Sequence, residues 1–112
     1  NHALTTAYTE ALIAARNYNE AAEVLQRHAV LRPDDHHLWA MLAETQGQAG
    51  NISEVHQARA EYFRLLGDFR NARQQLQFAL RIEVDQGSGA AVEARLRERI
   101  NTLEDQQRAL QG

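Results

Sequence analysis

Hydrophobic residues recur every three or four positions along most of the chain, which is the spacing of one face of an α-helix. The stripe is clearest in two segments. One consists of Ala21, Val24, Leu25, His28, Ala29 and Leu31, and the other of Phe69, Ala72, Leu76, Ala79, Leu80 and Ile82. Each segment has a single apolar face to bury, so the pattern predicts helices that pack side by side.

Helix breakers divide this pattern into helix-sized pieces. They stand at Pro33, Gly50-Asn51, Gly67-Asp68 and Gly87-Ser88-Gly89. We therefore predict six helices, over about 3–15, 18–31, 35–49, 52–66, 69–85 and 89–110. Turns of about two to four residues place consecutive helices antiparallel. In the turn at Gly87-Ser88-Gly89 we expect the glycine to end one helix and Ser88 to be the N-cap of the final helix.

The chain resembles itself when one copy of the sequence is shifted along the other. A single shift superimposes Leu4 on Leu38, Tyr8 on Leu42, Glu10 on Glu44, Ala15 on Ala49, Asn17 on Asn51, Tyr18 on Ile52 and Glu20 on Glu54. The period is about 34 residues, which is typical of a helix-turn-helix repeat of the tetratricopeptide type.

Individual residues carry the resemblance to tetratricopeptide repeats. Ala21, Leu25 and Pro33 match the small, large and closing-proline positions of a first repeat, and Trp39 and Leu42 match the tryptophan and leucine of a second. The pattern departs from the family at Thr5 and Thr9, where a tryptophan and a small residue are expected, and at Arg59, which takes an apolar position.

The fold that this resemblance implies is an all-α, right-handed α-α superhelix in a single domain over 1–112. It comprises about two and a half repeats: repeat one at about 2–34, repeat two at about 36–66, and a partial third at about 53–86. The helix at 52–66 would close one repeat and open the next. Trp39 is expected to be buried between the second and third helices, and Tyr8 and Phe63 to lie near the core.

The last predicted helix, about 89–110, is typical of a cap on the exposed end of a helical stack. Its apolar stripe consists of Val92, Leu96, Ile100, Leu103 and Leu110. On its outer face, Glu93 with Arg97 and Glu104 with Arg108 have the i,i+4 spacing of a helical ion pair.

Composition narrows the possible functions. The net charge of −3 argues against a nucleic-acid or anionic-membrane partner, which would require excess positive charge. No segment approaches the roughly 20 apolar residues of a membrane span, so no membrane insertion is expected. The chain has no cysteine, which excludes disulfide scaffolds, thiolate zinc sites and cysteine nucleophiles. It opens with Asn1 rather than methionine, so we expect it to be a piece of a longer protein.

The sequence contains no catalytic motif. A helical zinc protease site needs two histidines one turn apart with a glutamate beside the first, and no HExxH is present. His36 and His37 are adjacent, so their side chains should point about 100° apart on a helix. We predict no catalytic residue, no metal ligand and no cofactor in this chain, and we interpret its five histidines as surface or packing residues.

A narrower resemblance covers residues 31–82. Its motifs are 31–35 (Leu-Arg-Pro-Asp-Asp), Trp39, Gly50-Asn51, 58–61 (Ala-Arg-Ala-Glu), 66–69 (Leu-Gly-Asp-Phe) and Ala79-Leu80. In these motifs the chain resembles the C-terminal tetratricopeptide domain of bacterial periplasmic zinc metalloproteases of the BepA (YfgC) type. The resemblance implies a parent with a secretion signal and a preceding HExxH protease domain. It also implies contacts with the outer-membrane protein assembly machinery or its clients. The alternative is a stand-alone adaptor or scaffold, for which the cytoplasm is the other candidate compartment.

The tetratricopeptide resemblance also implies a concave groove lined by the first helix of each repeat. The positions that map to it are Thr6, Glu10, Ile13, His37, Ala40, Glu44, Gln48, Gln57, Glu61 and Arg64. Glu10, Glu44 and Glu61 share one position, which predicts an acidic-to-polar groove for an extended or helical segment. The alternative interpretation is that these are solvated charges. The Lys, Asn and Arg residues of chaperone-binding repeats are not matched, which argues against that function.

Overall fold

The computed structural model describes residues 1–112 and consists of α-helices joined by turns. In chain order the helices are α1 (His2–Ala14), α2 (Tyr18–Leu31), α3 (His36–Ala49), α4 (Ile52–Leu65), α5 (Phe69–Gln86) and α6 (Ala90–Gln111). Every predicted helix is present, and no boundary differs from its predicted position by more than one residue. The all-α class is therefore confirmed.

The helices pack in chain order, each against the next, from α1 on α2 to α5 on α6. The molecule measures 45 × 33 × 19 Å, and its smallest dimension corresponds to two layers of helices. Its radius of gyration is 14.6 Å. A compact chain of this length would have about 13 Å, so the stack is elongated.

The sequence period is visible in the helix positions. The α1 and α3 helices begin at His2 and His36, and α2 and α4 begin at Tyr18 and Ile52, so both pairs are offset by one repeat. The turns that follow α1, α3 and α4 also share one geometry. In each, a residue with positive φ is followed by one whose N–H donates to a carbonyl in the last turn of the helix: Asn17 to Leu12, Asn51 to Gln46 and Asp68 to Phe63. This is the Schellman motif, which satisfies carbonyls at the helix end.

The residue with positive φ is a glycine in two of these turns and an arginine in the third. Gly50 and Gly67 have φ of 83° and 79°, and Arg16 has φ of 61°. Glycine adopts this region without steric cost, whereas a side chain meets the neighbouring carbonyl. The first turn therefore keeps the repeat geometry at some cost in stability.

Two hydrophobic clusters hold the stack together. The first joins α2, α3 and α4 through Ala22, Leu25, Ala29, Leu38, Trp39, Leu42, Ala43 and Ala58. The second joins α4, α5 and α6 through Ala60, Ala72, Leu76, Ala79, Leu96, Ile100 and Leu103. The α4 helix contributes one alanine to each cluster, Ala58 to the first and Ala60 to the second, and so connects the two.

Trp39 is buried as predicted, with 9% of its surface exposed. It lies in the first cluster beside residues of α2, and its indole Nε1 donates to the carbonyl of Pro33 at 3.0 Å. The apolar ring is thus inside the core while its only polar group is satisfied.

Several expectations about individual side chains are wrong. Tyr8 is 50% exposed, because its hydroxyl donates to Glu20 on the surface rather than entering the core. Leu110 is 73% exposed, and the buried residues of α6 end at Leu103. Arg108 pairs with Asp105 and not with Glu104, while the pair of Glu93 and Arg97 is present at 3.7 Å.

The expected N-cap at Ser88 is also wrong. Gly89 occupies the N-cap position of α6, and the Ser88 hydroxyl instead bonds the Glu83 carboxylate at the end of α5. The hydrogen bonds from Ser88 and from Ser53 lower the pKa of Glu83, outweighing its burial. Ser88 therefore closes the preceding helix.

Candidate functional site

The predicted groove residues of α1 and α3 lie at or near the surface. Glu10 on α1 and His37, Ala40, Glu44 and Gln48 on α3 are exposed, and Thr6 and Ile13 on α1 are half-buried. Ala40 and Glu44 line a recess of about 420 Å³ between α3 and α4, whose other residues are Ala43, Arg59, Tyr62 and Phe63. We call this the α3/α4 recess.

The predicted groove residues of α4 lie elsewhere. Gln57, Glu61 and Arg64 are half-buried and face α2 and α6 rather than the α3/α4 recess. The Glu61 carboxylate accepts from Arg64 Nε at 2.8 Å and from Arg99 Nη2 at 3.2 Å. Its charge is therefore balanced within the protein.

The expectation of one row formed by Glu10, Glu44 and Glu61 is wrong. Glu61 lines recesses that contain no residue of the α3/α4 recess, to which Glu44 belongs. Because antiparallel neighbours in a two-layer stack present different faces, a residue of α4 does not share a face with residues of α1 and α3. Glu61 is also neutralised by arginine, so it contributes no free negative charge.

The residues around Glu61 belong to a longer surface feature formed by α2, α4 and α6. Three recesses of about 390, 200 and 420 Å³ lie in sequence along it. The first two share Gln26 and Glu54, and the second and third share Glu61 and Arg99. The three recesses are therefore adjacent on one side of the molecule, and we call them together the even-helix trough.

Side-chain amides line the α2 half of the trough and are held in position by one another. Asn51 Nδ2 donates to Asn19 Oδ1 at 3.1 Å and to Gln46 Oε1 at 2.7 Å. In the centre, Gln57 Nε2 donates to Ser53 Oγ at 3.2 Å, and its Oε1 accepts from Arg99 at 3.0 Å. A primary amide offers both a donor and an acceptor, which are the groups that an extended polypeptide backbone needs.

Charge is distributed unevenly along the trough. The recess at the α2 end contains Glu23, Glu54 and one cation, Arg27. The recess at the α6 end contains Arg64, Arg95 and Arg99 against two acidic residues, Glu61 and Glu98. The formal charge is thus −1 at one end and +1 at the other.

The sequence interpretation missed the contributions of α2 and α6 to this surface. The sequence does contain a pattern that indicates this surface, because α2, α4 and α6 each carry a stripe of polar residues at helical spacing. The stripes are Asn19, Glu23 and Gln26 on α2, Glu54, Gln57, Glu61 and Arg64 on α4, and Arg95, Arg99, Thr102 and Gln106 on α6.

Four of the five histidines form two ring pairs. His2 Nδ1 and His28 Nε2 lie 2.8 Å apart, with the rings stacked at 5.0 Å between centroids. His28 is 8% exposed, and its burial, together with the charges of His2 and Arg32, lowers its pKa. The rings of His36 and His37 do not point apart as expected, since their centroids are 4.2 Å apart. No three His, Asp or Glu side chains come together in a metal-binding arrangement.

None of the six helices has both the length and the apolar composition needed to cross a bilayer. No protein-family model matches the sequence, and no curated protein matches it either.

Proposed function

We propose that this chain is a non-catalytic protein-interaction module of the tetratricopeptide type, a right-handed superhelix that binds a polypeptide segment. The observation that carries the proposal is the even-helix trough, a row of adjacent recesses across three helices with hydrogen-bonded amide groups along it. The constant offset between equivalent helices and the three matching turns support the repeat type.

The chemistry of the trough suits a main chain better than a compact ligand. Its recesses are open and are lined mainly by polar residues. The amides come from both α2 and α4, so that hydrogen bonds can be made at successive positions along a strand. Main-chain hydrogen bonds supply affinity with little sequence preference, while flanking recesses select side chains.

The wider context that we propose follows the resemblance noted in the sequence. The chain would be the C-terminal part of a periplasmic zinc metalloprotease and chaperone that acts in outer-membrane protein assembly and quality control. The alternative is a stand-alone adaptor without a protease. Sequencing the gene upstream of Asn1 separates them: an HExxH segment preceded by a signal peptide supports the first, and their absence supports the second.

Peptide selection tests the interaction function. A library of random peptides displayed on phage is selected against the protein, and the enriched peptides are titrated by fluorescence anisotropy. We expect binding that the double variant Gln26→Ala/Gln57→Ala weakens at least about fivefold, since it removes two of the amides that contact the main chain. The matched control Gln74→Ala/Gln77→Ala removes two exposed amides of α5 and should leave binding unchanged.

Two results would contradict the proposal. One is a selection that enriches no peptide over the uncoated support. The other is a set of enriched peptides that bind the Gln26→Ala/Gln57→Ala variant as tightly as the unchanged protein, with both variants folded by circular dichroism.

A further inference from the structure

One face of α1, formed by Leu4, Tyr8 and Ala11, is exposed to solvent, and we call it the α1 outer face. Leu4 is 71% exposed and Tyr8 is 50% exposed. The counterparts of these three residues one repeat later are no more than 4% exposed, and they are Leu38, Leu42 and Thr45 of α3. Equivalent positions of two equivalent helices therefore differ sharply in burial.

The helix that makes this difference is α2. Both α1 and α3 pack on the helix that follows them, but α3 also packs on the helix that precedes it, which is α2. Leu38 and Leu42 lie in the first cluster together with three residues of α2: Ala22, Leu25 and Ala29. On α1, the exposure of Leu4 and Tyr8 shows that no helix of the protein takes this place. The α1 outer face is thus the surface on which a helix like α2 would pack.

The face that α2 turns towards α3 indicates the chemistry of such a helix. Leu25 stands between two small residues, Ala22 and Ala29, at helical spacing. Small residues allow two helices to approach closely, and the leucine fills the space between them. The α1 outer face carries no carboxylate or guanidinium group, so it suits an apolar stripe rather than a charged one.

A second copy of this chain does not offer a suitable helix. Leu25 and its alanine neighbours are buried within their own copy, so α2 would have to leave its own core to pack elsewhere. Outside α1, no helix exposes two large apolar residues at a spacing of three, four or seven positions. The helix that fits the α1 outer face therefore has to come from a different polypeptide.

We propose that the α1 outer face binds an amphipathic helix of a partner polypeptide, in which a large apolar residue lies between two small ones. The partner helix packs on α1 as α2 packs on α3. This is a second interaction surface, since no residue of the α1 outer face lines a recess of the even-helix trough. The inference therefore does not depend on peptide binding in the trough.

A peptide with the sequence of α2, residues 18–31, is the probe. An isolated helix of this length is marginal in water, so a hydrocarbon staple joins positions 23 and 27, which lie opposite the apolar face. The labelled peptide is titrated with the protein by fluorescence anisotropy. We expect saturable binding, which Leu25→Asp in the peptide weakens at least about tenfold because it places an unpaired charge in the contact.

Two variants of α1 locate the binding surface. Ala11→Glu should weaken binding of the stapled peptide at least about tenfold, because its counterpart Thr45 is covered by α2 and the new charge would be buried without a partner. The matched control Ala3→Glu makes the same change at another exposed alanine of α1. Its counterpart His37 stays exposed beside α2, so binding should be unchanged. Circular dichroism checks that both variants are folded.

Three results would overturn the inference. The first is the absence of saturable binding by the stapled peptide, and the second is an equal effect of Ala11→Glu and Ala3→Glu. The third comes from sedimentation of the protein alone, for which we expect a monomer. A dimer that Ala11→Glu dissociates and Ala3→Glu does not would show that a second copy covers the α1 outer face. None of these results bears on the trough, which the peptide library tests.

Discussion

The first and last helices of the stack are held in different ways. Two residues of α1, Thr9 and Leu12, are buried, and α1 packs mainly on α2. Three residues of α6, Leu96, Ile100 and Leu103, are buried in the second cluster. In addition, Arg99 of α6 reaches past α5 to bond Gln57 and Glu61 on α4.

A terminal helix is held firmly in the stack when it buries large apolar side chains and contacts more than one other helix. The α6 helix contacts the two helices before it and contributes large apolar side chains, so it covers the end of the second cluster. The α1 helix is alanine-rich, and its larger residues Leu4 and Tyr8 are exposed. We therefore expect α1 to open before α6 in hydrogen exchange, because fewer buried contacts hold it.

The largest expected effect concerns Trp39 in the first cluster, between the two terminal helices in chain order. Trp39→Ala should lower the free energy of unfolding by about 3–5 kcal/mol, since it leaves a cavity in the first cluster and an unpaired Pro33 carbonyl. Chemical denaturation measures the loss, with Trp39→Phe as the variant that keeps most of the volume. A loss below about 1 kcal/mol would mean that the tryptophan does not organise α2 and α3.

The second prediction tests the bridge that distinguishes α6. Arg99→Met removes the hydrogen bonds to Gln57 and Glu61 but keeps most of the side-chain volume, and should cost about 1–2 kcal/mol. A double-mutant cycle with Glu61→Gln isolates the pair, whose side chains are 31% and 22% exposed. Additive effects would show that the pair of Arg99 and Glu61 does not contribute to holding α6.

The third prediction addresses the connection of α1 to α2. Arg16→Gly should raise the free energy of unfolding by about 0.5–1 kcal/mol, because glycine relieves the left-handed conformation more than it adds entropy to the unfolded chain. The reciprocal change, Gly67→Ala, places a methyl group in open space at φ 79° and should be destabilising by about 1 kcal/mol. A destabilising Arg16→Gly would mean that the arginine side chain makes a contribution larger than this strain.

The fourth prediction is a pH dependence confined to the α1 side. The lowered pKa of His28 means that the unfolded chain binds its proton more readily, so stability is complete above the usual value of 6.5 and falls as the pH decreases below it. The pKa values of the Asp35 and Glu83 carboxyls are also lowered, and they affect the free energy of unfolding only below their usual pKa values of 3.8 and 4.5. For Asp35, burial opposes the shift, and the Leu38 N–H and Arg32 outweigh it.

Thermal unfolding between pH 7.5 and pH 5 separates these groups. The melting temperature should fall over this range in the unchanged protein and fall less in His28→Gln, which cannot take up the proton. An equal fall in both proteins would place the pH dependence elsewhere.

The positions of the helices could be predicted from the sequence because the residues that begin and end a helix are close to it in the chain. Gly50, Gly67 and Gly87 end helices in a left-handed conformation that glycine adopts freely. The burial of Trp39 is predictable from the large apolar surface of its side chain. Ser88 was misassigned because a serine between two helices can bond either one, and only the position of Glu83 decides.

The binding surface was harder to predict for a different reason. The turn at Gly67-Asp68 follows Gly50-Asn51 after only half a repeat, so α4 can be taken as the first or the second helix of a repeat. If α4 is taken as the first helix of a repeat, Glu61 is expected beside Glu10 and Glu44. In the structure, Glu61 pairs with Arg99 on the last helix. Which helices share a face depends on packing between distant segments.

Site-specific photo-crosslinking shows which face of the stack binds the peptide. Benzoylphenylalanine is introduced at Gln57, in the even-helix trough, or at Gln48, an exposed position of α3 in the groove predicted from sequence. The tightest-binding peptide from the library selection is then added and irradiated. We expect crosslinking from position 57 and little from position 48. Crosslinking from position 48 alone would contradict binding in the trough and would assign it to the odd-numbered helices.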